Sequence, residues 1–290
     1  MEKKFKFNID KLELTLSNNE NLFNDLSNLE KGQSIPFDDF KLVNIYINKY
    51  VKDNIETIKL KSNLIINVDN KDIIVGTFIM KKKIHKNLLT CCFNFNQEFL
   101  YLGDEYLTTF DNILSNLNLN IIKLHDSTLT LDTNVNVQNK TEDLIYDIDN
   151  VKTFLDNKPF NVDKSSTNQL CYINHISRIK KRQDVLALIS KYNDVYKNEF
   201  KLKIYNLSQH LFGKEYLTQQ NCFGNDTLYR VELNVSKQKW NWIIKNNNIN
   251  SIAKLKEIVP TIFEKEINNI LYFKRENKKI TILDIVMDNN

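Results

Sequence analysis

Apolar and polar positions alternate through most of the first half of the chain. Strand-like runs are predicted at Lys4 to Leu14, Phe40 to Tyr50, Asn54 to Val68, Ile73 to Met80 and Leu88 to Phe95. The segment Asn67-Val68-Asp69-Asn70-Lys71-Asp72 has the composition of a hairpin turn, and Gly103-Asp104 marks a second turn. Helical spacing appears twice between these runs. Leu22, Phe23, Leu26 and Leu29 precede Gly32 and Pro36, and Leu107, Phe110, Ile113, Leu114 and Leu117 share one stripe of a helix over 106–117. That helix feeds a strand predicted from Asn120 to Asp132.

The second half is less regular. Val135 to Lys164 is polar and reads as loop, with an apolar island at Leu155 to Phe160. A strand is expected at Leu170 to Ile176, a helix at Arg182 to Val195, and strands at Lys201 to Asn206 and Leu228 to Val235. Helices follow at Trp240 to Lys245 and Ile252 to Asn268; Asn277 to Asp288 suits either a strand or a helix. Many strands in meandering order with scattered helices predict an α+β fold on an antiparallel sheet. The division expected is a strand-rich half, 1–135, and a second half, 136–290, or one continuous domain of both.

Composition narrows the classes. The 290 residues are 42% hydrophobic and 11% aromatic, enough to build a core. With five Gly and no GxGxxG or GxxxxGK pattern, a glycine-rich phosphate cradle is excluded. The net charge of +4 is low for a wholly electrostatic nucleic-acid binder, so any such surface must be local. The four cysteines, Cys91, Cys92, Cys171 and Cys222, form no CxxC pair, which argues against a structural zinc site and fits reduced thiols. No run reaches the ~18 apolar residues of a membrane span, and the N-terminus lacks an apolar signal core. These features lead us to expect a cytoplasmic protein without a membrane partner.

Three segments carry candidate chemistry. In NIIKLHDSTLTLDTN, an extended chain puts Asp126, Thr128, Thr130 and Asp132 on one face. In LYRVELNV, Arg230, Glu232 and Asn234 share a face. In KLKIYNLSQH, Lys201, Lys203 and Tyr205 share a face, and His210 follows. Carboxylates such as Asp132 and Glu232 suit a hard cation, Arg230 suits a phosphate, and a tyrosine can form a phosphate ester. Ordinary polar faces of a half-solvated antiparallel sheet account for the same pattern. Basic runs at Lys81-Lys82-Lys83 with His85 and Lys86, and at Arg178, Lys180, Lys181 and Arg182, are either phosphate-binding or solvated faces. Trp240 and Trp242 either stack on bases or pack in a core.

The succession LTLDTN, KIYN and LYRVEL, led by FNFNQEFLYLG, resembles the replication initiation proteins of rolling-circle plasmids and single-stranded DNA phages, from about Phe93 to Val235. The resemblance implies a protein that binds origin DNA, as a hairpin or single strand, and nicks and rejoins it through a tyrosine-phosphate intermediate. It assigns Tyr205 and Arg230 to catalysis and Asp132 and Glu232 to Mg2+ or Mn2+. Lys203, Arg178, Lys180, Lys181 and Arg182 would contact DNA, and a host helicase or polymerase and a second copy of the chain would be partners. The chain departs from the pattern at three places. Asp126-Ser127-Thr128 replaces Arg-x-Asp, Leu207 stands at the lysine position after Tyr-Asn, and His210 at the glutamate position. A DNA-binding descendant without catalysis, acting as a regulator or virion component, is the alternative.

Overall fold

The computed structural model describes residues 5–125, 127–146, 150–155, 158–160, 185–186, 200–208, 223 and 226–287. The chain opens with β1 (Phe5–Lys11), β2 (Glu13–Leu16), α1 (Glu20–Ser27), β3 (Ser34–Pro36), β4 (Phe40–Lys52), β5 (Ile55–Val68), β6 (Lys71–Lys83) and β7 (Leu88–Phe95). Next come α2 (Gln97–Leu100), α3 (Asp104–Asn116), β8 (Ile121–Leu124), β9 (Ser127–Thr133), α4 (Val137–Tyr146), β10 (Val151–Leu155), β11 (Lys158–Phe160) and β12 (Val185–Leu186). The remaining elements are β13 (Phe200–Asn206), β14 (Tyr229–Val235), α5 (Lys237–Asn247), α6 (Ile252–Ile270), β15 (Leu271–Arg275), β16 (Lys278–Thr281) and α7 (Ile282–Met287). The fold is α+β, built on antiparallel sheets, and none of the described helices is long and apolar enough to cross a membrane.

The chain divides into two interleaved units rather than at residue 135. One holds residues 1–9, 128–236 and 258–290; the other holds 10–127 and 237–257. The second contains a seven-stranded sheet in the order β3-β4-β5-β6-β7-β2-β8. Its long hairpins turn on two-residue loops, Asp53-Asn54 and Asp69-Asn70, with φ of 52°, 59°, 50° and 62°. Asn and Asp tolerate this left-handed region, and paired positive φ values match the twist of a hairpin. One face of the sheet is the core. Leu60, Leu64, Phe78, Met80, Cys91 and Phe93 are fully buried there, and Phe93 and Phe95 meet Phe110 of α3 at ring distances of 4.8 and 4.6 Å. Gly76 is required for this packing, because a Cβ would collide with the Asn94 carbonyl and the Phe93 ring.

The other unit holds a five-stranded sheet, β1-β9-β14-β13-β12, and a four-stranded one, β11-β10-β15-β16. Every residue of β9 is buried, and β14 is buried at all but Tyr229 and Asn234. These strands are therefore covered on both faces, not half-solvated as their alternation suggests. The polar stretch expected as loop forms α4 and the β10–β11 hairpin instead. Alternating Val151, Thr153 and Leu155 find a partner in β15, more than a hundred residues downstream, which a local reading cannot see. The undecided tail is both a strand and a helix, β16 followed by α7. In the stretch expected as helix from Arg182, the described residues Val185 and Leu186 pair with Tyr205 and Ile204 as a strand.

Candidate functional site

Those expected site residues that are described, Asp132, Lys203, Tyr205, Arg230 and Glu232, lie on strands of the five-stranded sheet. On β9 and β14, Thr128 donates to Asn234 Oδ1 at 2.6 Å, and Arg230 grips Asp132 with two bonds, Nε to Oδ1 at 2.6 Å and Nη2 to Oδ2 at 2.8 Å. Asn8 on β1 donates to the same Oδ2 at 3.2 Å. One polar face thus runs across β1, β9 and β14, with Thr130 and Glu232 between the two side-chain links. This is the face-sharing that period-two alternation predicts.

The chemistry on that face differs from expectation. Asp132 is 0% exposed and Arg230 2%, so the guanidinium faces a carboxylate in the interior rather than a phosphate in solvent. Both Asp132 oxygens accept from Arg230, so a cation would have to displace a fork-to-fork ion pair to reach them. The interior position explains the pairing: neither charge is tolerable there alone. Glu232 is buried as well, at 7% exposure. Across the neighbouring ladder, Tyr205 stands in register with Arg230, and Lys203 with Glu232. Arg178, Lys180, Lys181 and Arg182, along with Asp126, His175 and His210, lie outside the described residues.

The other basic cluster is well defined. Pairing across β4, β5 and β6 puts Lys52, Lys59, Lys61, Lys81 and Lys83 on the face opposite the core, together with Tyr46 and Tyr50. Lys59 stands directly across from Lys81. Of the acids on these strands, Asp72 shares the face at the far end of β6, where it is bonded to Lys41, and Asp53 lies in the connecting turn. Both tyrosines are exposed, Tyr46 by 41% and Tyr50 by 36%. None of the five lysines forms an ion pair among the described residues. Lys82, one position along and on the core side, is bonded to Glu20 at 2.5 Å and lies over Phe23. Sequence reading found the Lys81–Lys83 run but not the rows of Lys and Tyr that strand pairing adds to it.

Of the two tryptophans, Trp240 is fully buried, and Trp242 is half exposed with Lys239 over its ring at 4.9 Å. A groove of about 680 Å3 in the same unit, lined by Phe37, Phe40, Tyr106 and Asn112 among others, contains none of the expected site residues. Cys91 and Cys92 are free thiols on opposite faces of β7. Burial, reinforced by the neighbouring Cys92, pushes the Cys91 thiol up to about 12, so it stays protonated. Glu13, Cys92 and His125 bring their donor atoms within 4.8 Å of one another on the open face of the seven-stranded sheet. No family model, no curated protein and no solved structure matches the chain.

Proposed function

We propose that the protein binds DNA through the open face of its seven-stranded sheet, as a replication-initiator-like protein whose Asp132–Arg230 pair holds the fold together. The observation that carries this reading is the Lys59–Lys81 row. Like charges directly opposite on a sheet repel, and five lysines with no ion-pair partner among the described residues are stable together where a polyanion neutralises them. Tyr46 and Tyr50 add exposed rings on which unpaired bases stack, which favours a single strand over a duplex. This role belongs in the cytoplasm of a bacterial cell, where Cys91 and Cys92 remain thiols.

The test is fluorescence anisotropy with a single-stranded oligonucleotide over a salt series. Log affinity should fall linearly with log salt, by about 0.7 for each phosphate contacted. The Lys59→Glu, Lys81→Glu double variant should bind at least about tenfold more weakly and with a shallower slope. Unchanged binding by a folded double variant rejects the reading.

The second reading is strand cleavage, and one observation favours it: Tyr205 and Arg230 are paired across β13 and β14, as are Lys203 and Glu232. It needs Mg2+ or Mn2+ at Asp132 and Glu232, and hence release of Asp132 from Arg230. Incubation of origin-type DNA with Mn2+ should then yield a covalent protein–DNA adduct that Tyr205→Phe abolishes. If the pair is only structural, no adduct forms with the native chain.

A further inference from the structure

We propose that Glu13, Cys92 and His125 bind one divalent transition ion of the zinc class, with Asn94 completing the donor set. This inference does not rest on the DNA-binding reading.

Glu13 and Cys92 come from the neighbouring strands β2 and β7, and His125 directly follows β8 on the other side of β2. Thr15 pairs with Cys92 on one side and Lys123 on the other, and Glu13 pairs with Asn94. The Glu13 carbonyl accepts from the His125 amide at 2.9 Å, which fixes the histidine beside the glutamate. Their donor atoms lie within 4.8 Å of one another. Tetrahedral zinc with bonds of about 2.0–2.3 Å needs ligand separations of roughly 3.3–3.8 Å. Small side-chain rotations close that gap.

Two further observations point to an ion. His125 Nε2 lies 2.7 Å from Thr15 Oγ1, which leaves Nδ1 as the ligand atom and supplies the outer hydrogen bond that orients a metal-bound imidazole. Asn94, directly across from Glu13 and two residues from Cys92 on the same face, has a buried Oδ1 with no hydrogen-bond partner among the described residues. Buried polar atoms nearly always have a partner, and a cation is one. The mixed set of one thiolate, one imidazole and oxygen donors excludes Mg2+ and Ca2+ and matches zinc. The absence of a CxxC spacing, which argues against structural zinc in the sequence, has no bearing on ligands delivered by strand pairing.

The test uses the full chain stripped of metal by a chelator and titrated with Co2+, then Zn2+. One equivalent of Co2+ should bind with a thiolate-to-cobalt charge-transfer band, and Zn2+ should displace it. In the unsubstituted protein, Zn2+ should slow alkylation of Cys92, read by peptide mass, whatever the fate of the variants. Cys92→Ser should lose the band, and His125→Gln and Glu13→Gln should weaken Zn2+ binding about tenfold or more. Sub-stoichiometric binding, a band that survives Cys92→Ser, or alkylation of Cys92 indifferent to Zn2+ each overturns the site.

Discussion

Asp132 and Arg230 show how burial changes the meaning of a residue. Either side chain at a surface would be a credible ligand or phosphate clamp; together in the interior they satisfy each other. Removing one partner leaves an uncompensated buried charge, which costs about 3–5 kcal/mol, whereas replacing both with apolar groups is often near neutral. Urea unfolding should therefore find Asp132→Leu and Arg230→Met each strongly destabilising, and the double variant far less destabilised than their sum. Additive losses would argue that the two act separately. The sequence displayed these residues, and their sharing of a face followed from alternation. Their mutual grip was illegible because it depends on β9 lying beside β14, a pairing between segments about a hundred residues apart.

At the scale of elements, α6 begins with a cap borrowed from another helix. Asp111 of α3 accepts from the Ile252 amide at 2.9 Å and the Ala253 amide at 3.1 Å. Burial raises its carboxyl above the ordinary value and outweighs those two bonds, which lower it. The folded state thus holds this proton more tightly than the unfolded chain. Asp111 stabilises most below the ordinary carboxylate range, near 4, and that contribution is lost as pH rises through the raised value. Asp111→Asn keeps an acceptor and removes this titration, so its melting temperature should vary less with pH across that window. Asp111→Ala should cost about 1 kcal/mol from loss of the cap. An unchanged pH profile in the Asn variant would refute the burial argument. Elements were most legible where pattern and turn chemistry agree, as in β4 to β6 with their Asp-Asn turns. They were least legible where polar surface helices such as α4 and short strands such as β10 depend on distant partners.

Across the whole molecule, each unit is assembled from segments far apart in the chain, and neither the 135/136 division nor any single cut separates them. The residues after Glu257 supply β15, β16 and α7 to the first unit, while the seven-stranded sheet lies within residues 10–127. A chain ending at 257 should keep slow amide hydrogen exchange in β4 to β7 and lose it in β10, whose partner β15 is gone. Protection retained in β10 would show that the hairpin it forms with β11 is enough.

The interleaving also bears on how the protein is made. Strand β1 leaves the ribosome well before its neighbour β9, which begins at Ser127, so at about 5–20 residues per second it waits roughly 6–24 s for a mate. Throughout that interval a nascent ribbon bearing Phe5, Phe7 and Ile9 has idle amides along both margins, a natural client for a chaperone.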